Sequence, residues 1–173
     1  GFIRNRLRRA GRLNVTISTD NDPSRFDQFY SIYSENCRDH GIPLKPKACL
    51  EALVAPPILH CRSRIYYALQ NDELIGALLV VHSPATVSYY VPCTRHDARQ
   101  LQPGTLLVDR AFRDMRDAGV RNWNWESSPS RESGVYEYKR KWGAEESGYR
   151  IYVWCCRGVG ELQRIGCQRL ANE

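Results

Sequence analysis

The run "VYEYKRKWGAEESGYRIYVW", residues 135–154, sets Tyr138-Lys139 just before Lys141-Trp142-Gly143, and a strand-like stretch follows. Two readings fit these residue types. The run is a solvated helix with a few aromatic anchors, or it lines a site where something anionic is held. A second stretch with chemical potential is a strand at 85–92, a polar loop, and a helix opening at Gly104-Thr105. The free N–H groups of such a helix start can hold phosphate, and Pro103-Gly104 allows close approach of the backbone. The plainer reading is that these residues merely start a helix.

Other chemistries lack their motifs. There is no Gly-rich phosphate loop, no G-x-S-x-G and no histidine-containing triad. The seven cysteines show no C-x-x-C spacing, and the four histidines do not cluster with them, so no zinc site is expected. An odd cysteine count without a framework fits a reducing cytoplasm. Cys155 and Cys156 are neighbours in a strand-like run, so their side chains are expected on opposite faces.

The 173 residues suit one domain, 1–173. A hydrophobic content of 42% with 10% aromatic residues argues for a packed core and against disorder. The net charge of +6 favours anionic partners such as nucleic acid, nucleotide phosphates or a membrane surface. On charge alone an ordinary basic protein is the preferred reading, because +6 is modest and 19 acids are spread along the chain. The longest apolar run, Leu74–Val81, contains Gly76 and is far too short to span a bilayer.

These residues need elements to position them. "GFIRNRLRRAGRL" (1–13) reads as a basic amphipathic helix with Arg4, Arg6, Arg8, Arg9 and Arg12, expected on the surface away from any cleft. "NVTIST" (14–19) reads as a strand. The next helix is fully punctuated: Asp22 caps it, Pro23 starts it, Gly41 ends it and Pro43 prevents continuation. Phe26, Phe29, Tyr30, Tyr33 and Cys37 form its buried face. "KPKACLEALV" (45–54) is another helix, closed by Pro56-Pro57. Three strands follow at 63–70, 73–83 and 85–92, turning at Asn71-Asp72 and Ser83-Pro84. The middle strand is apolar on both faces and belongs at the centre.

An eleven-residue polar loop (93–103) leads to a helix with the stripe Leu107, Val108, Ala111, Phe112, Met115 and Ala118. "VRNWNWE" (120–126) reads as a strand with Trp123 and Trp125 on one face. A helix follows whose Val135, Tyr138 and Trp142 share a face. "YRIYVWCC" (149–156) reads as the last strand and 157–173 as a helical tail. The order α–β–α–α–β–β–β–α–β–α–β predicts an α/β (α+β) fold: a mixed central sheet with helices on both faces, strands 85–92 and 122–126 parallel and splayed into a cleft.

This layout resembles the GNAT acyltransferase fold. The stretch "LLVDRAFRDMRDAGVRNWNWESSPSRESGVYEYKRKWGAEESGY" is similar to its Fem-type branch, which includes peptidoglycan-bridge aminoacyltransferases. The matching positions are Ala111 to Gly119, Trp123-Asn124-Trp125-Glu126-Ser127, and Tyr138-Lys139-Arg140-Lys141-Trp142-Gly143. The resemblance implies an N-acyltransferase with an activated acyl donor and an amine acceptor. In that branch the Lys matching Lys139 is assigned to the developing oxyanion or the donor's acyl end. Glu126 and Tyr90 (in the Tyr89-Tyr90 pair) are the further catalytic candidates; Gly104, Thr105 and Tyr138 are the candidates for holding the donor. The loop at 93–103 departs from the Q/R-x-x-G-x-G/A pyrophosphate pattern, with Gly104 alone in register. The donor is therefore acyl-CoA or aminoacyl-tRNA, with tRNA as a partner in the second case. Relatives of this kind pack two such units and this chain holds one, so it is a fragment of a two-unit protein, pairs with itself or works alone; a homodimer is the expectation. The rival readings are a non-catalytic binding module of the same fold and an RNA-binding domain that uses the N-terminal arginines.

Overall fold

The computed structural model describes residues 2–20, 22–55 and 62–148. The strand expected at 149–156, the tail at 157–173, Cys155-Cys156 and the Pro56-Pro57 stop lie outside the described residues.

The centre is a meander. Strands β2 (Arg62–Gln70) and β3 (Glu73–His82) join through Asn71 and Asp72, both left-handed with φ of 51° and 64°. That is the backbone of a type I′ turn, whose twist matches its strands. Strand β4 (Thr86–Thr94) pairs with the other edge of β3, after a turn in which Ser83 donates its N–H to the Thr86 carbonyl. Residues 74–80 of β3 are all buried, as a run apolar on both faces requires. Gly76 lets β3 and β4 approach: a Cβ there would lie 3.0 Å from the Cys93 carbonyl oxygen. Strand β1 (Val15–Ser18) pairs antiparallel with β2, and β5 (Asn122–Asn124) pairs parallel with β4. The sheet order is β1-β2-β3-β4-β5.

Each sheet face has its own core. Helix α2 (Pro23–His40) brings Phe29, Ile32, Tyr33 and Cys37, and α3 (Lys47–Val54) brings Leu50, against Leu74, Ala77 and Leu79 of β3. The caps of α2 fall where the sequence puts them: Asp22 accepts the Ser24 N–H, and Gly41 takes a left-handed conformation, φ 63°. On the other face, α4 (Pro103–Asp117) packs Leu107, Val108, Ala111 and Met115 against Ile75, Leu78 and Val80. Helix α1 (Phe2–Gly11) lies against α4, with Ala10 fully buried.

Four expectations need correction. Strand β4 does not stop at Pro92 but continues to Thr94, and the polar loop contains a 3-10 helix, His96–Leu101. The β5 strand is only three residues long. Ala118, at the end of the α4 stripe, is exposed. On α5 (Gly134–Lys141), Val135 is exposed and Lys139 is buried, so the inward face is Tyr138, Lys139 and Trp142. The reason is non-local: two backbone carbonyls after β5 accept the lysine and turn that side of the helix inward.

Candidate active site

The parallel ladder between β4 and β5 is short. It pairs Thr86 with Asn122, Val87 with Trp123 and Ser88 with Asn124. Beyond that rung β4 runs on to Thr94, paired with β3 on one edge and with no strand partner on the other among the described residues. Pro92 is tolerated inside β4 because it lacks an N–H and this edge has no ladder to supply. At Thr94, the side-chain amide of Asn36 from α2 takes the place of a strand: the Thr94 N–H donates to Asn36 Oδ1 (3.0 Å), and Asn36 Nδ2 donates to the Thr94 carbonyl (2.9 Å).

Within the open edge lies a β-bulge. Leu79 opposes Val91 and Val80 opposes Tyr89, so Tyr90 is the extra residue, out of the ladder. The bulge also changes the facing of β4. Val87 and Tyr89 join the core under α4, whereas Val91 and Cys93 join the core under α2. The Tyr90 ring goes with the second group, and the Lys45 ammonium lies over it at 5.3 Å.

The first turn of α4 faces this edge. Tyr89, Pro92 and Thr94 of β4 and Gly104, Leu107 and Val108 of α4 line a small pocket of about 30 Å³ between the two elements. The Tyr138 hydroxyl donates to the Gly104 carbonyl at 3.3 Å, which ties α5 to the start of α4. Burial pushes the Tyr138 phenol pKa up, opposed by the nearby polar groups of Trp142 and Thr105 and by the positive charge of Arg6. On α1, Arg6 is half-buried, and Arg4, Arg8 and Arg12 are exposed. Beneath lies an aromatic floor. Phe112 of α4 stacks on Trp123 with ring centres 4.0 Å apart and on Trp142 at 5.5 Å, and Tyr89 lies 5.2 Å from Trp125.

At the C-terminal end of β5, Glu126 has a left-handed backbone, φ 58°. Its N–H donates to Asn124 Oδ1 (2.9 Å), and Asn124 Nδ2 donates to its carboxylate (3.0 Å). Lys139 Nζ donates to the carbonyls of Glu126 (3.1 Å) and Ser127 (2.7 Å). Burial pushes the Lys139 pKa down, and the Glu126 carboxylate opposes that shift.

Of the candidates, the structure brings Gly104, Thr105 and Tyr138 together at one end and Glu126 and Lys139 together at the other. It sets the Tyr90 ring on the opposite face of β4. Two residues have contacts that the sequence did not assign: Asn124, which it placed only within the matched stretch Trp123–Ser127, and Asn36, which it did not single out. The signal at Asn36 is a polar residue seven positions after Phe29 and three after Tyr33, on the apolar stripe of α2.

Among the described residues, a five-stranded sheet whose fourth and fifth strands pair over three rungs, with a helix start facing the open edge beyond them, fits the acetyltransferase-like α/β class. Residues 2–140 match the family model described as the acetyltransferase (GNAT) domain, and the chain belongs to that family. Solved structures share the fold at low identity. An aminoglycoside acetyltransferase, meta-AAC0020, from an uncultured soil metagenomic sample, in complex with sisomicin, is 13% identical with a TM-score of 0.63, over 82% of this chain and 95% of that one. A possible acetyltransferase from Clostridium difficile 630 is 9% identical with a TM-score of 0.66, over 81% and 96%. A transcriptional regulator from Bacillus halodurans C-125 is 16% identical with a TM-score of 0.58, over 80% and 99%. No protein of curated function matches the sequence. Among the described residues, no helix is long and apolar enough to cross a membrane.

Proposed function

We propose that the chain is an N-acyltransferase that moves an acyl group from an activated thioester or ester to an amine, with the donor lying in the opening between β4 and β5. The observation that carries this reading is the end of the β4–β5 ladder at Ser88 and Asn124, next to the first turn of α4. Acyl-CoA is the donor that this geometry supports best. Its phosphates lie against the first turn of α4 at Gly104 and Thr105, where the helix start favours negative charge, the Thr105 N–H itself being held by the Gln102 carbonyl at 3.0 Å. The exposed Arg4, Arg8 and Arg12 of α1 favour aminoacyl-tRNA as the second reading, the one a Fem-type relationship would suit.

In this reading the amine nitrogen attacks the acyl carbonyl carbon, and the carbonyl oxygen becomes a tetrahedral oxyanion. Backbone N–H groups on the open edge of β4, around the Tyr90 bulge, stabilise that charge. Tyr90 thus contributes through its backbone, its ring being turned to α2. The Glu126 carboxylate accepts the proton released by the amine. The oxyanion collapses, the carbon–sulfur or carbon–oxygen bond breaks, and the thiolate or alkoxide leaves.

The test is thiol release from acetyl-CoA in the presence of sisomicin and a panel of primary amines. The wild type should turn over at least one amine, and Glu126→Gln should lower kcat by roughly a hundred-fold with KM for acetyl-CoA little changed. Equal turnover of the two proteins would remove Glu126 from the chemistry.

A further inference from the structure

We infer that Lys139 and Asn124 form a clamp that holds Glu126 in its left-handed backbone conformation and so fixes where its carboxylate stands at the mouth of the β4–β5 opening; both are positioning residues. The purpose given to the clamp rests on the acyltransferase reading above, whereas its geometry does not.

Four observations meet at one residue. Glu126 has φ 58°, which non-glycine residues adopt rarely and keep only when their surroundings impose it. Its N–H is gripped by Asn124 Oδ1 and its carbonyl by Lys139 Nζ, so both ends of its backbone unit are held from outside. The same lysine takes the next carbonyl, Ser127, at 2.7 Å, which fixes the direction of the chain as it leaves β5. Asn124 Nδ2 then holds the carboxylate itself and reaches the Ser88 hydroxyl of β4 at 3.5 Å, on the last rung of the ladder. The carboxylate is thereby indexed to the strand whose open edge borders the donor.

The lysine is placed for this task rather than for direct contact with the acyl group. It is 6% exposed, and its ammonium is directed at two backbone carbonyls of the chain after β5. Glu126 and Asn124 are both exposed. The clamp thus has its anchor inside the protein and its working group at the surface. A buried ammonium is costly to desolvate, and two carbonyl acceptors with a nearby carboxylate offset that cost.

Two cycles test the clamp. The first reads kcat for acetyl-CoA with the best amine of the panel, in wild type, Lys139→Met, Glu126→Gln and the double variant. A positioning lysine acts through the carboxylate, so Lys139→Met should lower kcat about tenfold or more with KM for acetyl-CoA unchanged, and should cost nothing further once Glu126 is Gln. Asn124→Ala, an exposed substitution with little risk to folding, should behave the same way in both backgrounds. Losses that multiply in the double variants would overturn the inference, because a group that stabilises the oxyanion itself acts whether or not the base is present. The second cycle needs no turnover and reads the thermal midpoint. Glycine accepts φ 58° without strain, so Glu126→Gly should be neutral or stabilising while Lys139 is present, and destabilising in the Lys139→Met background, where the loop relaxes. The same shift in both backgrounds would overturn the clamp. If the second cycle shows the coupling and no amine is acetylated, the clamp stands and the acyltransferase reading fails.

Discussion

Asn36 of α2 hydrogen-bonds both backbone groups of Thr94 at the end of β4, at 3.0 and 2.9 Å. One side chain thereby closes the strand edge that β5 leaves open, and confines the opening to the stretch between Ser88 and Thr94. A side-chain amide can do this because it carries a donor and an acceptor at the spacing of a peptide unit.

Asn36→Ala removes both bonds and leaves the half-buried Thr94 groups without a protein partner. The expected cost is about 1–3 kcal/mol of stability, read from urea midpoints at constant slope. Asn36→Asp should fall short of the wild type as well, since a carboxylate accepts from the Thr94 N–H but repels its carbonyl. An unchanged midpoint for Asn36→Ala would mean that the pair contributes nothing to closing the edge.

The buried Lys139 gives a pH dependence with a defined sign. Its folded pKa is held below the ordinary 10.5, mainly by burial, so between the two values the unfolded chain binds more protons than the folded one. Stability attributable to this group must then rise as pH climbs through the lowered value toward 10.5. The buried tyrosines Tyr66 and Tyr67, both pushed up to about 12 by burial, titrate in the opposite sense and mask it in the wild type alone. The difference between wild type and Lys139→Met cancels them. That difference should increase from pH 8 to pH 10; a flat or falling difference would contradict the burial of the charge.

Val135 is 48% exposed at the start of α5. Val135→Ser should change stability by no more than about 0.5 kcal/mol. Trp142→Ala, which removes the ring against Phe112 and Trp125, should cost about 3 kcal/mol. Similar losses for the two would restore Val135 to the packed face.

What the sequence revealed was local. Asp22, Pro23 and Gly41 bound α2 because caps and left-handed ends depend on neighbours a few residues away. The Asn71-Asp72 turn and the buried β3 run were legible for the same reason. The site depended on distant partners. Helical spacing groups Val135, Tyr138 and Trp142 as readily as Tyr138, Lys139 and Trp142; the carbonyls of Glu126 and Ser127 decide between them. Tyr89 and Tyr90 could not be told apart, because a one-residue bulge sends Val91 and Cys93 to the face opposite Val87. Pro92 read as a strand end because its tolerance depends on β5 having already stopped.

The central claim is that an acyl donor lies in the opening with its phosphates at the start of α4, and calorimetric titration of acetyl-CoA into wild type and Gly104→Glu tests it most directly. The site suits the substitution: a Cβ at Gly104 meets nothing within 4 Å, and a carboxylate in a first helical turn is favourable for the helix. Folding should therefore be unimpaired, with the thermal midpoint equal to or above that of the wild type. The wild type should bind acetyl-CoA, and the added negative charge should weaken binding at least tenfold. Equal affinity of the two proteins, or no binding by the folded wild type, would contradict the account.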